Sequence, residues 1–294
     1  MNQIRKPAKR KILRKKPTQF EIFHGDCVEG MCGLESESVD VVVTSPPYNI
    51  GIKYGSYKDD QHRAAYLAWC MEWGAQVKRV LKPAGSLFLN VGASPSNPLL
   101  PFEITGEFTR DRLFVLQNSI HWIKSISLEM DDGSILSRGH FKPINSGRYL
   151  NDCHEYVLHF TKEGKTPIDR LAVGVPYTHK SNISRWGHTG GNDKRCAGNT
   201  WFIPYETIQS RAGQRPHPAT FPVALAERCV RLHGVRSDLV MMDPFLGIGH
   251  AAMAAKKCGV GRFIGFDIDE EYLQVVADKT GATIRKIKPQ MHAP

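Results

Sequence analysis

No apolar stretch of this chain approaches the roughly 20 residues that a membrane-spanning helix requires, which argues against a helical membrane protein. The basic start has no hydrophobic core of the kind a secretory signal carries, so a cytoplasmic location is expected. Seven cysteines (Cys27, Cys32, Cys70, Cys153, Cys196, Cys229, Cys258) are scattered without a Cys-x-x-Cys pair. That spacing argues against a structural zinc site and a disulfide framework, so reduced thiols and no metal are expected. Acidic residues are also comparatively few. Against 39 Lys and Arg there are 29 Asp and Glu, a formal charge of +10 that favours a polyanionic partner, nucleic acid first.

The charge is concentrated in Arg5-Lys6, Lys9-Arg10-Lys11 and Arg14-Lys15-Lys16, with little apolar content between. Residues 1–17 therefore read as a basic, flexible arm able to lie along phosphates. Beyond it, no internal repeat or extended low-complexity tract is evident. Phe20–Ile22 and Val39–Thr44 read as strands, Arg63–Leu81 as a helix ended by Lys82-Pro83-Ala84-Gly85, and Ser86–Val91 as another buried strand. This alternation predicts a parallel sheet in an α/β domain.

From about Ser94 to Arg215 the pattern changes. Strands at Val115–Lys124 and Glu155–Thr161 are separated by long polar stretches. There, Tyr149, Tyr177, Trp186 and Trp201 are mixed with Arg148, Lys180, Arg185, Lys194 and Arg195, a mixture suited to nucleic-acid contact. Alternation then resumes: helix Phe221–His233, strand Leu239–Met242, helix Gly249–Lys257, strand Arg262–Phe266 and helix Glu270–Lys279.

Two motifs carry chemistry. Thr44-Ser45-Pro46-Pro47-Tyr48 follows the β-branched strand directly. Its prolines fix φ and lack N–H groups, so the strand ends in a stiff loop that presents a hydroxyl, carbonyl oxygens and an aromatic face. Such a loop can grip a flat heterocycle and accept hydrogen bonds from its exocyclic amine; it can equally be a Pro-Pro turn with Tyr48 packed.

The second motif is Asp243-Pro244-Phe245-Leu246-Gly247-Ile248-Gly249, which joins a strand to a helix. Its glycines permit a tight turn and a close ligand approach. Asp267 ends a strand roughly 20 residues further on, where a carboxylate can accept from ribose hydroxyls. The pattern fits an adenosine-containing cofactor, and a dinucleotide-binding fold competes with that reading. Chain order helps decide between them, although a permuted sheet is possible in principle for a dehydrogenase too. Only 27 residues follow Asp267, too few to complete a doubly wound sheet. The remaining strands must come from the N-terminal part, so residues 18–92 and 216–285 should form one circularly permuted sheet.

In that order the chain resembles the β-class amino-methyltransferases of DNA found in restriction–modification systems. The resemblance rests on Gly25-Asp26-Cys27, Ser45–Tyr48, His217-Pro218, Asp243-Pro244-Phe245-x-Gly247-x-Gly249 and Asp267. Two positions depart from the family pattern: His250 stands where a small hydroxyl residue is common, and Phe221 where Lys often follows the His-Pro.

The resemblance implies a circularly permuted Rossmann-like methyltransferase sheet with an inserted target-recognition region. Residues 18–92 and 216–285 would form the catalytic domain. Residues 93–215 would supply the remaining core strands and the recognition region, and 286–294 a tail. It also implies S-adenosylmethionine as methyl donor, duplex DNA as substrate, extrusion of the target base, and direct attack by its amine. Ser45, Pro46, Pro47 and Tyr48 would be catalytic, with Ser45 and the Pro46 carbonyl accepting from the amine and Tyr48 stacking on the base.

The cofactor set would be Asp26 on the adenine amino group, Cys27 beside it, Ser45, His217 and Pro218 at the methionine end, Asp243, Pro244, Phe245, Gly247, Gly249, and Asp267 on the ribose. Serine at the head of the tetrapeptide resembles cytosine-N4 enzymes, whereas aspartate is typical of adenine-N6 enzymes, which remain the alternative. Carbon-5 methylation would need a cysteine nucleophile, usually after proline, and no cysteine here follows one. A non-catalytic DNA-binding protein, an NAD-dependent enzyme, and a methyltransferase acting on RNA or protein are the other readings. Relatives of this class include homodimers and enzymes paired with a separate restriction endonuclease.

Overall fold

The computed structural model describes residues 17–95, 97–139, 145–204 and 220–287. The strands are β1 Gln19–His24, β2 Val39–Thr44, β3 Leu81–Val91, β4 Val115–Ile123, β5 Ser125–Glu129, β6 Ile135–Gly139, β7 His154–Thr161, β8 Thr200–Phe202, β9 Val240–Asp243, β10 Arg262–Asp267 and β11 Ile284–Lys286. The α-helices are α1 Cys27–Cys32, α2 Arg63–Val80, α3 Leu100–Thr109, α4 Ser181–Arg185, α5 Val223–His233, α6 His250–Cys258 and α7 Glu270–Thr280. Residues 1–16 of the expected arm and the tail beyond 287 lie outside the described residues. No helix among the described residues is long and apolar enough to cross a membrane.

Nine of these strands form one sheet in the order β11-β1-β10-β9-β2-β3-β7-β4-β8, and β5 pairs only with β6. From β11 to β3 all neighbours are parallel; β7 runs antiparallel to both β3 and β4. The N-terminal and C-terminal segments interleave as the permuted order requires: β1 pairs with β10, and β2 with β9. Parallel strands of this kind are covered on both faces, which explains the unbroken Val41-Val42-Val43 run. Val41 and Val43 face the layer holding α5, α6 and α7, while Val42 faces the layer of α1, α2 and α3.

Helix α2 ends where Leu81 turns extended, because Pro83 cannot continue the turn. Strand β3 therefore begins five residues earlier than the Ser86 expected from hydrophobicity alone. Helix α5 begins at Val223, two residues after Phe221, since Pro222 with extended ψ suits a helix cap and not its interior. At the N-terminal end of the sheet, Asp40 is buried and accepts from Lys82 Nζ at 2.9 Å, from the Val240 amide at 2.9 Å and from Arg236. This carboxylate joins the starts of β2, β3 and β9.

The mixed aromatic and basic region divides. Tyr149 and Trp186 are exposed, but Trp201 lies in the core under β4, with the Arg228 guanidinium 4.9 Å from its ring. Tyr177 is also buried, edge-on to Trp186. Trp201 and Tyr177 are thus packing residues and not surface platforms for bases. Short strand β8 adds to the sheet edge with Trp201 buried at the register position of the buried Trp122.

The reversed strand β7 is held by an aromatic cluster in which Phe160 meets Phe108 and Phe114 at centroid distances of 5.4 and 6.0 Å. Phe160 is fully buried, so Phe160→Ala should cost about 3–5 kcal/mol. Urea unfolding should show a lower midpoint with an unchanged slope.

Candidate active site

The parallel strands end on one side in a cleft with a cavity of about 350 Å³, as expected for open α/β sheets. Its wall is built from segments that follow β1 (Gly25–Cys27), β2 (Ser45–Tyr48), β9 (Pro244–Gly247) and β10 (Asp267–Asp269). Of the residues expected from sequence, Asp26, Cys27, Ser45, Pro46, Pro47, Tyr48, Pro244, Phe245, Gly247 and Asp267 line the cleft. Asp243 and Gly249 stand behind the wall. Gly249 has φ of 83°, and a Cβ there would lie 2.8 Å from Val276, so its glycine lets α6 approach α7. His217 and Pro218 lie outside the described residues.

At one end of the cleft Asp267 accepts from the Gly247 amide at 2.7 Å and the Asp269 amide at 2.9 Å. Burial pushes its carboxyl up to about 6 despite those amides, which favour the charged form. Asp243 is fully enclosed, and burial raises it to about 7. It accepts from Thr44 Oγ1 at 2.6 Å, which ties the end of β2 to the end of β9, and from the Phe245 amide at 3.0 Å. Asp26 caps α1, its Oδ1 accepting from the amides of Val28 at 2.8 Å and Glu29 at 3.2 Å. Burial, reinforced by Asp26, pushes the Cys27 thiol well up, so it stays protonated and inert.

The segment after the tetrapeptide folds back over this end. Asp59 accepts from the amides of Asn49, Ile50 and Ile52, while Asn49 and Gln61 exchange hydrogen bonds of 2.8 and 2.6 Å. This brace presents Tyr54 and Tyr57 to the cleft. Tyr57 packs on Trp69 at 5.9 Å and Trp69 on Phe245 at 5.3 Å, forming an aromatic wall. His250 joins α6 to the chain preceding α5, its Nδ1–H donating to the Phe221 carbonyl at 2.6 Å.

The other end is polar. Ser45 Oγ lies 2.8 Å from the Tyr48 hydroxyl, which also lies 3.1 Å from Glu155 Oε2. Asn90 Nδ2 donates to Glu155 Oε2 at 2.7 Å and to Tyr48 Oη at 2.8 Å, and Lys124 Nζ donates to Glu155 Oε1 at 3.1 Å. Tyr66 Oη donates to the Pro47 carbonyl at 2.8 Å and so engages it.

Asn90, Glu155, Lys124 and the Tyr54–Trp69 wall are not legible as site residues in the sequence. The one available signal is polarity inside buried strands: Asn90 within Leu87–Val91, and Glu155 at the head of β7. Among the described residues, no cluster of three or more His, Cys, Asp or Glu could hold a metal ion.

An enclosed carboxylate beside a glycine turn, an aromatic wall and a stiff Pro-Pro loop fit an adenosyl sulfonium cofactor next to a flat amine-bearing base. Comparison with known proteins agrees. The family model described as DNA methylase matches residues 39–278. The type II methyltransferase M.BglII of Bacillus subtilis is 30% identical over 271 residues, 87% of this chain and 67% of that protein. M.HpaI of Haemophilus parainfluenzae is 27% identical, over 86% of this chain and 72% of its own. Among solved structures, the cytosine-N4-specific PvuII DNA methyltransferase superposes with a TM-score of 0.63 over 93% of this chain and 98% of that one; at 18% identity the likeness is one of fold. TTHA0409 of Thermus thermophilus, solved in complex with S-adenosyl-L-methionine, gives 0.60 at 25% identity, over 93% of this chain and 100% of that one. The chain therefore belongs to the N6/N4 family of S-adenosylmethionine-dependent DNA methyltransferases, the β-class amino-methyltransferases.

Proposed function

We propose that this DNA methyltransferase acts on the N4 amino group of cytosine in duplex DNA. The observation that carries this reading is Ser45, a neutral acceptor at the mouth of the cleft where an adenine-N6 enzyme would place a carboxylate. The PvuII enzyme, whose fold the chain shares, is cytosine-N4-specific by name. The target amine is buried in the duplex stack, so the nucleotide is extruded into the cleft, at a cost of a few kcal/mol.

Within the cleft, the Pro46 carbonyl and Ser45 Oγ accept from the amine and favour the tetrahedral nitrogen that develops as it attacks, a preorganised electrostatic effect. The Tyr48 ring stacks on the extruded base. S-adenosylmethionine supplies an electrophilic sulfonium methyl group when bound. Asp267 would hold its ribose hydroxyls, Asp26 its adenine amino group with Cys27 alongside, and Phe245 with the Gly247–Gly249 turn its adenosine and methionine. His217 and Pro218 would close the methionine end. Holding amine and methyl in line can lower the barrier by roughly 7–11 kcal/mol.

Nucleoside mass spectrometry of DNA treated with the pure enzyme should show N4-methylcytosine. N6-methyladenine instead would reject cytosine as the acceptor, and an unmodified product would reject the activity. Ser45→Ala should lower kcat by about 10²–10³-fold, the usual effect of losing one preorganised transition-state contact, with cofactor binding retained.

Cofactor affinity should also depend on pH. Asp267 titrates near 6 in the free protein, because burial disfavours its charge. Ribose hydroxyls donate only to advantage when it is ionised, so binding expels its proton. Affinity should fall about tenfold per pH unit below 6 and level off above it. Calorimetric titration at pH 5, 6 and 7 measures this. Asp267→Asn should bind more weakly at pH 7 and lose the dependence; a wild-type affinity that is flat from pH 5 to 7 would rule out a ribose contact by the carboxylate.

A further inference from the structure

A neutral serine is an ambiguous partner for an amine, because its hydroxyl can point its hydrogen toward the substrate as easily as a lone pair. The contacts behind Ser45 remove that ambiguity. An ionised carboxylate only accepts, so Asn90 must present Nδ2, not Oδ1, to Glu155 Oε2 at 2.7 Å. The same Nδ2 also donates to Tyr48 Oη at 2.8 Å. The phenol has a single hydrogen. Three acceptors lie near it: Ser45 Oγ at 2.8 Å, Glu155 Oε2 at 3.1 Å and the main-chain carbonyl of Asn90 at 3.3 Å; of these the carboxylate is by far the strongest. With that hydrogen committed to Glu155, the 2.8 Å contact between Ser45 and Tyr48 can be made only by the serine hydrogen. The chain of donors runs one way, from Ser45 to Tyr48 to Glu155; Asn90 Nδ2 approaches one lone pair of Ser45 Oγ at a long 3.4 Å, and the other is left to the cleft.

We propose that Glu155 is a positioning residue that acts through the Tyr48 hydroxyl, fixing Ser45 as an acceptor and receiving the proton that the methylated amine must release. This rests on the amine-methylating reading of the site and holds for either base. The amine lone pair forms the new N–C bond while the methyl–sulfur bond breaks with its electron pair left on sulfur. The resulting cationic nitrogen gives one proton to Ser45 Oγ as the serine proton passes to Tyr48 Oη and the phenol proton to Glu155 Oε2. The product amine is neutral, and Glu155 ends protonated until water takes the proton.

Three further features fit. Burial, reinforced by the Glu155 charge, holds the Tyr48 phenol far above its ordinary range, so it remains the protonated link the relay needs. Lys124 Nζ, 3.1 Å from Glu155 Oε1, gives the part-buried carboxylate a cationic partner. Asn90 Oδ1, turned away from Glu155 by the same orientation, is buried without a partner among the described residues. The site therefore lacks one hydrogen-bond donor, and the second N–H of an exocyclic amine is a donor of the right kind.

The test separates the Tyr48 hydroxyl from its ring. Tyr48→Phe keeps the stacking face, and Glu155→Gln keeps the shape but offers an amide donor that can reverse the chain. Each should lower kcat about 100-fold, within the usual range for a lost proton-transfer partner, while the dissociation constant for S-adenosylmethionine changes less than about threefold. The double variant should be no slower than the slower single one, because both cut one relay. Glu155→Asp should recover at least about tenfold over Glu155→Gln, as restored carboxylate function requires.

The second readout needs no turnover. In protein labelled with ¹³Cζ-tyrosine, the Tyr48 resonance should shift in both Glu155→Gln and Ser45→Ala. Tyr48→Phe with wild-type kcat, losses that multiply in the double variant, or a Tyr48 resonance indifferent to Glu155→Gln would each overturn the relay. Failure of the wild-type protein to methylate DNA would overturn the activity instead, and the resonance would still judge the hydrogen-bond chain.

Discussion

The site depends on the 2.6 Å hydrogen bond from Thr44 to Asp243. Thr44 is the last residue of β2 and Asp243 the last of β9, neighbours in the sheet although 199 residues apart in sequence. One step beyond each lies half of the site: Ser45-Pro46-Pro47-Tyr48 on one side, Pro244-Phe245-Leu246-Gly247 on the other. The bond fixes their separation, and Asp243 also takes the Phe245 amide. Its burial raises the carboxyl to about 7, so near neutrality the acid is partly protonated and a second carboxylate, Asp267, can share the region. Parallel pairing supplies the rest, since every strand from β11 to β3 ends at the same edge.

Much of this architecture is legible in the amino-acid sequence. Val39–Thr44 reads as a buried strand because both its faces are covered, and the strand is found there unchanged. The permuted order is visible in the pairing, where N-terminal β1 and β2 lie beside C-terminal β10 and β9. Boundaries differ by a few residues where local chemistry overrides hydrophobicity. Extended geometry at Leu81 begins β3 early, and Pro222 delays α5 to Val223.

What sequence patterns misplace or leave out has a common physical cause. Trp201 and Tyr177 lie among Arg and Lys in sequence, yet neighbours in sequence say little about a short edge strand whose burial depends on β4. Conversely, Glu155 and Asn90 carry no motif, because their meaning arises from register. Antiparallel pairing sets Asn90 opposite Val157, and Glu155 lies two residues before that pair, on the same face toward the strand end. Only the sheet brings the amide of Asn90 to that carboxylate. Composition and spacing cannot express a contact between residues 65 apart that is decided by strand order.

This arrangement also explains how serine can stand where a carboxylate would be the stronger acceptor. A charged group in contact with the amine stabilises a developing positive nitrogen directly, but it must be kept ionised in a cleft from which the base excludes water. Moving the charge back by two hydrogen bonds, to Glu155, lets it keep Lys124 and Asn90 as partners. On the proposed relay, the serine would meet the substrate as an oriented dipole whose polarity the distant carboxylate enforces. A weaker contact at the amine is offset by orientation that need not be reorganised during the reaction, the condition under which hydrogen bonds contribute most to catalysis. On that proposal the first residue of the tetrapeptide and the carboxylate behind its tyrosine form one functional unit, and neither has its full meaning alone.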